Sequence, residues 1–431
     1  MTSKKTSQAQ PADPRGLFPP QAGSESRVNA RGEPDFGRFE CPVWPPADPE
    51  IWSRLESLYR SGDWGRYFPE VVTELRDLIG RFLDRDATSQ AQGQQVRLVC
   101  SGSAAVELAL RVALQDRLPG QTHPRQVRDP AGGGELPPEV ICGAFDYPGN
   151  VRAVRLLGAL PVFVDTRPGG WTIDPQSVAA AATPQTAAVL VSHLYGEIAD
   201  VVNLSELCES RGWVLIEDVC QSPGAMLGGR PLGTFGKLAA WSFGGSKPLT
   251  AGCGGAVTTC DHHLAQRLAT FCDRPSDAFP ISPLQAAVLI PQWQRLESWV
   301  ELQNARLDQL IESIAKQTPN WLWPTTSVPS ERRVHYKLPI RLREGAGVDL
   351  AGLIALATHQ GLPAGEPFRV PGSVAASRGR VVSAVEARSA VSQTWVLDHR
   401  VLQGDEKTID RLAEELQRLY QRSEGSVASE P

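Results

Sequence analysis

Apolar and polar positions alternate along the middle of the chain with two different periods. Short, β-rich apolar runs fall at 96–100, 139–142, 161–165, 187–193, 213–218, 238–243 and 254–259, and stretches with helical spacing (104–114, 151–157, 175–182, 202–211) separate most of them. In the first of these, Ala105, Leu108, Ala109 and Val112 fall at i, i+3, i+4 and i+7, one face of a helix. Runs that are apolar throughout leave no face for water. Alternating with helices, they predict an α/β fold: a large domain with a mostly parallel seven-stranded sheet flanked by helices on both sides. After Asp218 the connections become too short for a helical crossover, so at least one of the last strands is expected to run antiparallel.

From residue 282 the pattern turns helical through 284–316, with Pro291 as the expected break or kink. A strand at 336–342, a helix at 350–360 and an amphipathic helix at 406–420 follow. The chain therefore divides into a large domain at 37–290 and, at 291–422, a helical linker with a smaller C-terminal α+β domain. Residues 1–36 are rich in Pro, Gly, Ser, Gln and Arg and predict a disordered tail, as do residues 423–431. The stretch 120–138 holds Gly132-Gly133-Gly134 and four prolines and predicts a long surface loop. No internal repeat is present.

Composition narrows the classes. The 431 residues carry 41% hydrophobic and 21% charged residues with a net charge of −5, so there is no electrostatic reason to expect nucleic acid. No apolar run approaches the ~18 residues of a membrane span. The Lys4-Lys5 pair leads into polar sequence, not an apolar leader, so a cytoplasmic protein is expected. The cysteines (41, 100, 142, 208, 220, 253, 260 and 272) form no C-x-x-C pair and read as reduced thiols. Cys253, Cys260, His262, His263 and Cys272 match no standard zinc spacing, so no metal is expected.

In open α/β sheets ligands sit beyond the carboxyl ends of the strands. The first strand ends in Ser101-Gly102-Ser103 and runs straight into a helix, whose N-terminal N–H groups make a ready phosphate site; Ser103, taken alone, reads rather as an N-cap. The strand at 213–216 ends in Glu217-Asp218 with Gln221 following. A carboxylate there is either a cap or solvated acid, or the partner of a cationic ring nitrogen. Then comes Trp241-Ser242-Phe243-Gly244-Gly245-Ser246-Lys247-Pro248. Lysines are scarce, at 4, 5, 237, 247, 316, 337 and 407 only, and Lys247 lies among Gly, Ser and Pro between two strands. Such a lysine is either merely solvated or, partly desolvated beside strand ends, able to attack a carbonyl. The ordered set of phosphate turn, aromatic, strand-end Asp, Ser and Lys is what pyridoxal 5'-phosphate requires.

At these residues the chain resembles the DegT/DnrJ/StrS sugar aminotransferases, pyridoxal-phosphate enzymes of the aspartate-aminotransferase fold. The matching text is Ser-Gly-Ser-Ala-Ala at 101–105, Phe145-Asp-Tyr147, Pro161-Val-Phe-Val-Asp165, His193-Leu-Tyr-Gly196, Ile216-Glu-Asp218-Val-Cys-Gln221, Trp241-Ser242-Phe243, Lys247 and Gly254-Gly-Ala-Val257, with weaker similarity through Leu284-Gln285-Ala286-Ala287. The resemblance implies that Lys247 carries the cofactor as a Schiff base and moves protons, and that Asp218 holds the pyridinium nitrogen. Gln221 would lie near the ring hydroxyl, Tyr147 would stack on the ring, and Gly102, Ser103 and Ser242 would hold the phosphate. It further implies a homodimer, with glutamate or glutamine as amino donor and a nucleotide-linked keto-sugar as acceptor, in amino-sugar, glycan or secondary-metabolite biosynthesis.

Several positions depart from the family. Pro248 stands where Asn is usual, Cys253 where Glu is usual, and Ala278 and Pro280 where an Asn and an Arg are usual. The loop at 120–138 looks inserted, and 365–378 lacks the usual His-Tyr signature. These departures keep open a sensory or structural relative that binds the cofactor without efficient turnover, and another pyridoxal-phosphate reaction on the same fold. A nicotinamide dehydrogenase is disfavoured because Ser101-Gly102-Ser103 is not G-x-G-x-x-G.

Overall fold

All seven predicted strands form, and an eighth joins them from far along the chain. A computed structural model describes residues 27–28, 34–35, 38–67, 69–84, 93–118, 136–272, 278–325, 328–370 and 379–427. The chain separates into two units, 1–38 and 39–431. In the first, Arg27–Val28 pairs antiparallel with Pro34–Asp35. The other residues of the expected tail at 1–36 lie outside the described residues. Most of the expected 120–138 loop lies outside the described residues.

The second unit opens with two helices absent from the sequence reading, α1 (Pro49–Ser61) and α2 (Glu70–Leu83). Asp48 caps α1 by accepting from the N–H groups of Glu50 and Ile51, and Gly62 closes it at φ 73°. Then follow β1 (Gln95–Val99), α3 (Gly102–Leu114), β2 (Glu139–Gly143), α4 (Pro148–Leu156), β3 (Leu160–Val164), α5 (Pro175–Ala181), β4 (Thr186–Ser192), α6 (Val201–Arg211), β5 (Val214–Asp218), β6 (Leu238–Ser242), β7 (Gly255–Thr259) and α7 (His262–Cys272). Helices α8 (Pro283–Gln294) and α9 (Leu296–Ile314) follow. The break between them falls at Arg295, not at Pro291, which sits inside the last turns of α8 on its buried side.

A smaller lobe is built from β8 (Trp321–Leu322), β9 (Lys337–Leu342), α10 (Leu350–His359), β10 (Ala364–Gly365), α11 (Val385–Gln393), β11 (Thr394–Asp398) and α12 (Glu406–Val427). Its sheet runs β8-β9-β11-β10, antiparallel throughout. Helix α12 passes the predicted end at 422; the Ser423 hydroxyl is buried and donates to the Tyr420 carbonyl at 2.7 Å. The lobe's core joins Leu307, Leu338, Trp395 and Leu412 to Phe39, so the start of this unit packs with the small lobe and not the large one.

In the large sheet the order is Arg380–Val381, then β3-β2-β4-β5-β6-β7-β1, eight strands where seven were expected. The extra edge strand is two residues long and too short to leave a periodic signal. Strand β7 runs antiparallel to both β6 and β1, as the short connections require, while the other pairs are parallel. Helices α2, α5, α6 and α8 cover one face around Leu75, Ile79, Val178 and Leu204. Helices α3, α4 and α7 cover the other around Leu108, Val154 and Leu268. With both faces dry, every carboxyl end on the parallel side points toward one crevice.

Candidate active site

The carboxyl ends of β2, β4, β5 and β6 and the N-terminus of α3 enclose a cavity of about 370 Å³. Gly102, Ser103, Tyr147, Asp218, Gln221, Ser242 and Lys247, dispersed over 146 positions of sequence, all line it. The structure thus brings every predicted site residue to one place.

At one end, Ser101 caps α3 by accepting the Ala104 N–H at 3.1 Å. The cap reading of Ser103 therefore fails; its side chain is exposed at the helix N-terminus, where an anion is favoured. Gly102 is buried against the end of β6: a Cβ added there would stand 2.5 Å from Ser242 Cβ and 2.6 Å from its Oγ. The bare α-carbon is what lets the turn and the Ser242 hydroxyl share one cradle.

At the other end the two acids closing β5 part company, since successive strand residues face opposite sides. Glu217 turns into the protein, where its carboxylate accepts from Gly233 N–H at 2.9 Å and Gly236 N–H at 2.6 Å and meets His193 Nε2 at 3.3 Å. Asp218 turns toward the cavity. Its Oδ1 accepts the Cys220 N–H at 2.9 Å and its Oδ2 accepts Asn150 Nδ2 at 2.8 Å. Asn150 and Ser192, which joins the same group, were not singled out from sequence, nor was Asp146, a second buried carboxylate beside them. The register of β4 on β5 sets Ser192 directly against Asp218, a placement that only the sheet reveals.

Tyr147 precedes α4, and its ring lies back over Gly149, where any Cβ would strike it. It is 46% exposed at the cavity, free to meet a flat ligand. Gln221 accepts the Tyr195 N–H through Oε1 at 3.4 Å. Behind it Phe145, Trp171, Tyr195 and Phe368 form an aromatic wall, and the Tyr195 hydroxyl accepts the Phe368 N–H at 3.2 Å.

Lys247 follows a tight turn in which its N–H donates to the Gly244 carbonyl at 2.9 Å. Its Nζ stands 4.2 Å from the centre of the Tyr336 ring, while Lys337 approaches the same ring at 5.0 Å. The Tyr336 hydroxyl is 2.8 Å from Ser246 Oγ, and Lys337 pairs with Asp398 at 2.6 Å. Tyr336 and Lys337 come from the small lobe and carried no sequence signal beyond their strand. Burial, partly opposed by the neighbouring Asp398, holds His399 below the usual imidazole range at about 4.

The departures also have places. Cys253 is exposed on the cavity wall, and Pro280 bridges to Val99 at the edge of β1. The described residues include no group of three His, Cys, Asp or Glu side chains suited to a metal, and none of the cysteines is disulfide-bonded. Nor is any helix among them long and apolar enough to cross a membrane.

The doubly covered sheet brings lysine, aspartate and a helix-terminal anion cradle to one crevice, as an amino-transferring enzyme needs. Residues 91–406 match the DegT/DnrJ/EryC1/StrS aminotransferase family, and the chain belongs to it. It is 28% identical over 415 residues to 3-amino-5-hydroxybenzoate synthase of Amycolatopsis mediterranei, covering 90% of this chain and 98% of that one. Over 229 residues it is 34% identical to L-glutamine:2-deoxy-scyllo-inosose aminotransferase of Streptomyces kanamyceticus, 53% of this chain and 48% of that one. The crystal structure of DesV from S. venezuelae, in complex with a ketimine intermediate, superposes with a TM-score of 0.72 at 26% identity, over 89% of this chain and 99% of that one.

Proposed function

We propose that the cavity binds pyridoxal 5'-phosphate and that the protein, as a homodimer in the cytoplasm, moves an amino group from glutamine or glutamate to a ketone on a polyhydroxylated ring, a keto-sugar or cyclitol. The observation that carries this reading is the convergence of Lys247 and Asp218 on one cavity with an anion cradle beside them.

The residues fit the cofactor. Gly102 leaves a hollow that a Cβ would fill, next to free N–H groups at the start of α3 and the Ser103 and Ser242 hydroxyls, a donor set suited to a phosphate. Asp218 offers a carboxylate held by two donors, suited to a cationic ring nitrogen. Tyr147 supplies a ring face and Gln221 an amide beside it. The bound cofactor supplies the electron sink that amino transfer needs. The chain does the rest. Lys247 provides the amine that attaches the cofactor and the base that moves a proton at the substrate carbon. The Tyr336 ring stands 4.2 Å from that Nζ, and Ser246 fixes the Tyr336 hydroxyl. The relatives named above motivate glutamine as donor and a cyclic, hydroxylated acceptor.

The test is the visible absorbance of the purified protein mixed with pyridoxal 5'-phosphate, recorded before and after L-glutamine or L-glutamate. A band for lysine-bound cofactor that fades on adding either donor supports amino transfer. A stable band that ignores both would favour the non-transferring relative, and no band would sink the cofactor assignment.

A further inference from the structure

We infer that Asp146 is a positioning residue for Asp218: through the Ser192 hydroxyl and the Asn150 amide it fixes the orientation and strengthens the negative field of the carboxylate that meets the ring nitrogen. The inference rests on the cofactor reading above.

The geometry is specific. Asp146 Oδ1 accepts the Tyr147 N–H at 2.6 Å, the Ser192 hydroxyl at 2.7 Å and Asn150 Nδ2 at 3.2 Å. Asp218 Oδ2 takes Asn150 Nδ2 at 2.8 Å and lies 3.4 Å from Ser192 Oγ. Ser192 has one proton, and the shorter contact assigns it to Asp146. Asn150 has two, and both face these carboxylates, which forces its Oδ1 the other way, where it is buried without a partner. Exchanging the amide's oxygen and nitrogen would set an acceptor against two acids. Asp146 therefore clamps both side chains that touch Asp218, and all four side chains are buried.

Only neutral donors serve the two carboxylates, so the group lacks the cation that a pyridinium would bring. The other titratable groups facing Asp146 are Asp218 from β5 and the thiols of Cys142 on β2 and Cys220 after β5, both kept neutral by burial; Lys247 in turn acts on Cys220. Burial, reinforced by Asp218, pushes the Asp146 carboxyl up to about 7. A cation set against Asp218 lowers it again. Binding then releases a proton, so cofactor affinity rises as pH climbs through 7.

The test uses Asp146→Asn, which keeps an acceptor and the shape but cannot ionise. Affinity for pyridoxal 5'-phosphate is read by tryptophan quenching alongside the absorbance band. The variant is expected to bind about tenfold more weakly than wild type at pH 8 and within about twofold of it at pH 6. A merely structural loss would weaken binding equally at both. Ser192→Ala, which removes the bridge and leaves Asp146 ionisable, is expected to weaken binding at both pH values while keeping the pH trend. Wild-type affinity in Asp146→Asn at both pH values overturns the inference; should that variant not fold, wild-type affinity in Ser192→Ala does so. If wild type itself shows no band, the cofactor reading falls and this inference with it. If wild type shows the band and the variants match it, this inference falls alone.

Discussion

Replacing Gly102 by alanine asks whether the cradle at the start of α3 is built on contact. The added Cβ would stand 2.5 Å from Ser242 Cβ and 3.2 Å from Ser242 Cα, so the first cannot be met by rotating a side chain. Either α3 or the end of β6 must move. Overpacking of this kind costs about 1–3 kcal/mol. Both elements carry the groups assigned to the phosphate, so the shift should appear as a roughly ten- to hundredfold loss of affinity for pyridoxal 5'-phosphate, with 1.4 kcal/mol per factor of ten. The assay is cofactor titration by fluorescence, with thermal unfolding of the cofactor-free protein as the stability measure. Adding Ser242→Gly removes the obstructing Cβ and should restore the lost thermal stability, though not the affinity, because the hydroxyl has gone too. If Gly102→Ala binds cofactor and unfolds like wild type, or if the second change restores no stability, the contact argument is wrong.

Lys247→Ala should abolish the absorbance band of lysine-bound cofactor; a wild-type spectrum would remove Lys247 from its role. Asp218→Asn should keep cofactor binding better than turnover, since the shape survives while the charge opposite the ring nitrogen is lost, and comparison of the cofactor Kd with single-turnover rates measures the split. Asp165 binds the N-terminus of α11 to the end of β3: it accepts from Val385 N–H at 2.6 Å, Ala387 N–H at 2.8 Å, Glu386 N–H at 3.1 Å and the Ser383 hydroxyl at 2.7 Å. Burial alone would raise its pKa, but these bonds, led by Ala387 N–H, outweigh it and hold the carboxyl below 3.8. Its contribution is therefore present at neutral pH and lost as pH falls through that lowered value. Asp165→Ala should cost about 3 kcal/mol at pH 7 by loss of charge-assisted bonds, with a smaller gap near pH 3 in thermal unfolding; a gap independent of pH would refute the assignment.

The large sheet was legible because its strands are buried on both faces and so read as unbroken apolar runs bounded by turns. Strand β11, Thr-Trp-Val-Leu-Asp, is buried at every position too, yet it follows α11 without any break that marks it off. The start of α1 does carry local signals, Asp48 followed by Pro49, with Gly62 at its end. The eighth strand has none, because two residues define no period. In the site, residues within recognisable motifs could be named. Ser192 and Asn150 could not, nor could the role of Asp146 inside its motif, because what joins them to Asp218 is the lateral register of β4 on β5. Tyr336 and Lys337 reach the cavity only because the small lobe closes over it.

The seat of Phe39 has a consequence for the order in which the protein is made. Its N–H donates to the Gln360 carbonyl at 2.7 Å, and it belongs to the same buried cluster as Leu412, Leu416 and Tyr420. At ~10 residues per second, roughly 40 s separates the synthesis of Phe39 from that of the last members of its cluster. Through that interval the ribosome carries a chain whose seven long strands can already pair, while the apolar residues that open this unit wait without cover. The small lobe can close only when α12 emerges. Nascent chains stalled before residue 406 should therefore be the form that chaperones capture, and a C-terminal truncation should act on folding yield well before it touches the chemistry at Lys247.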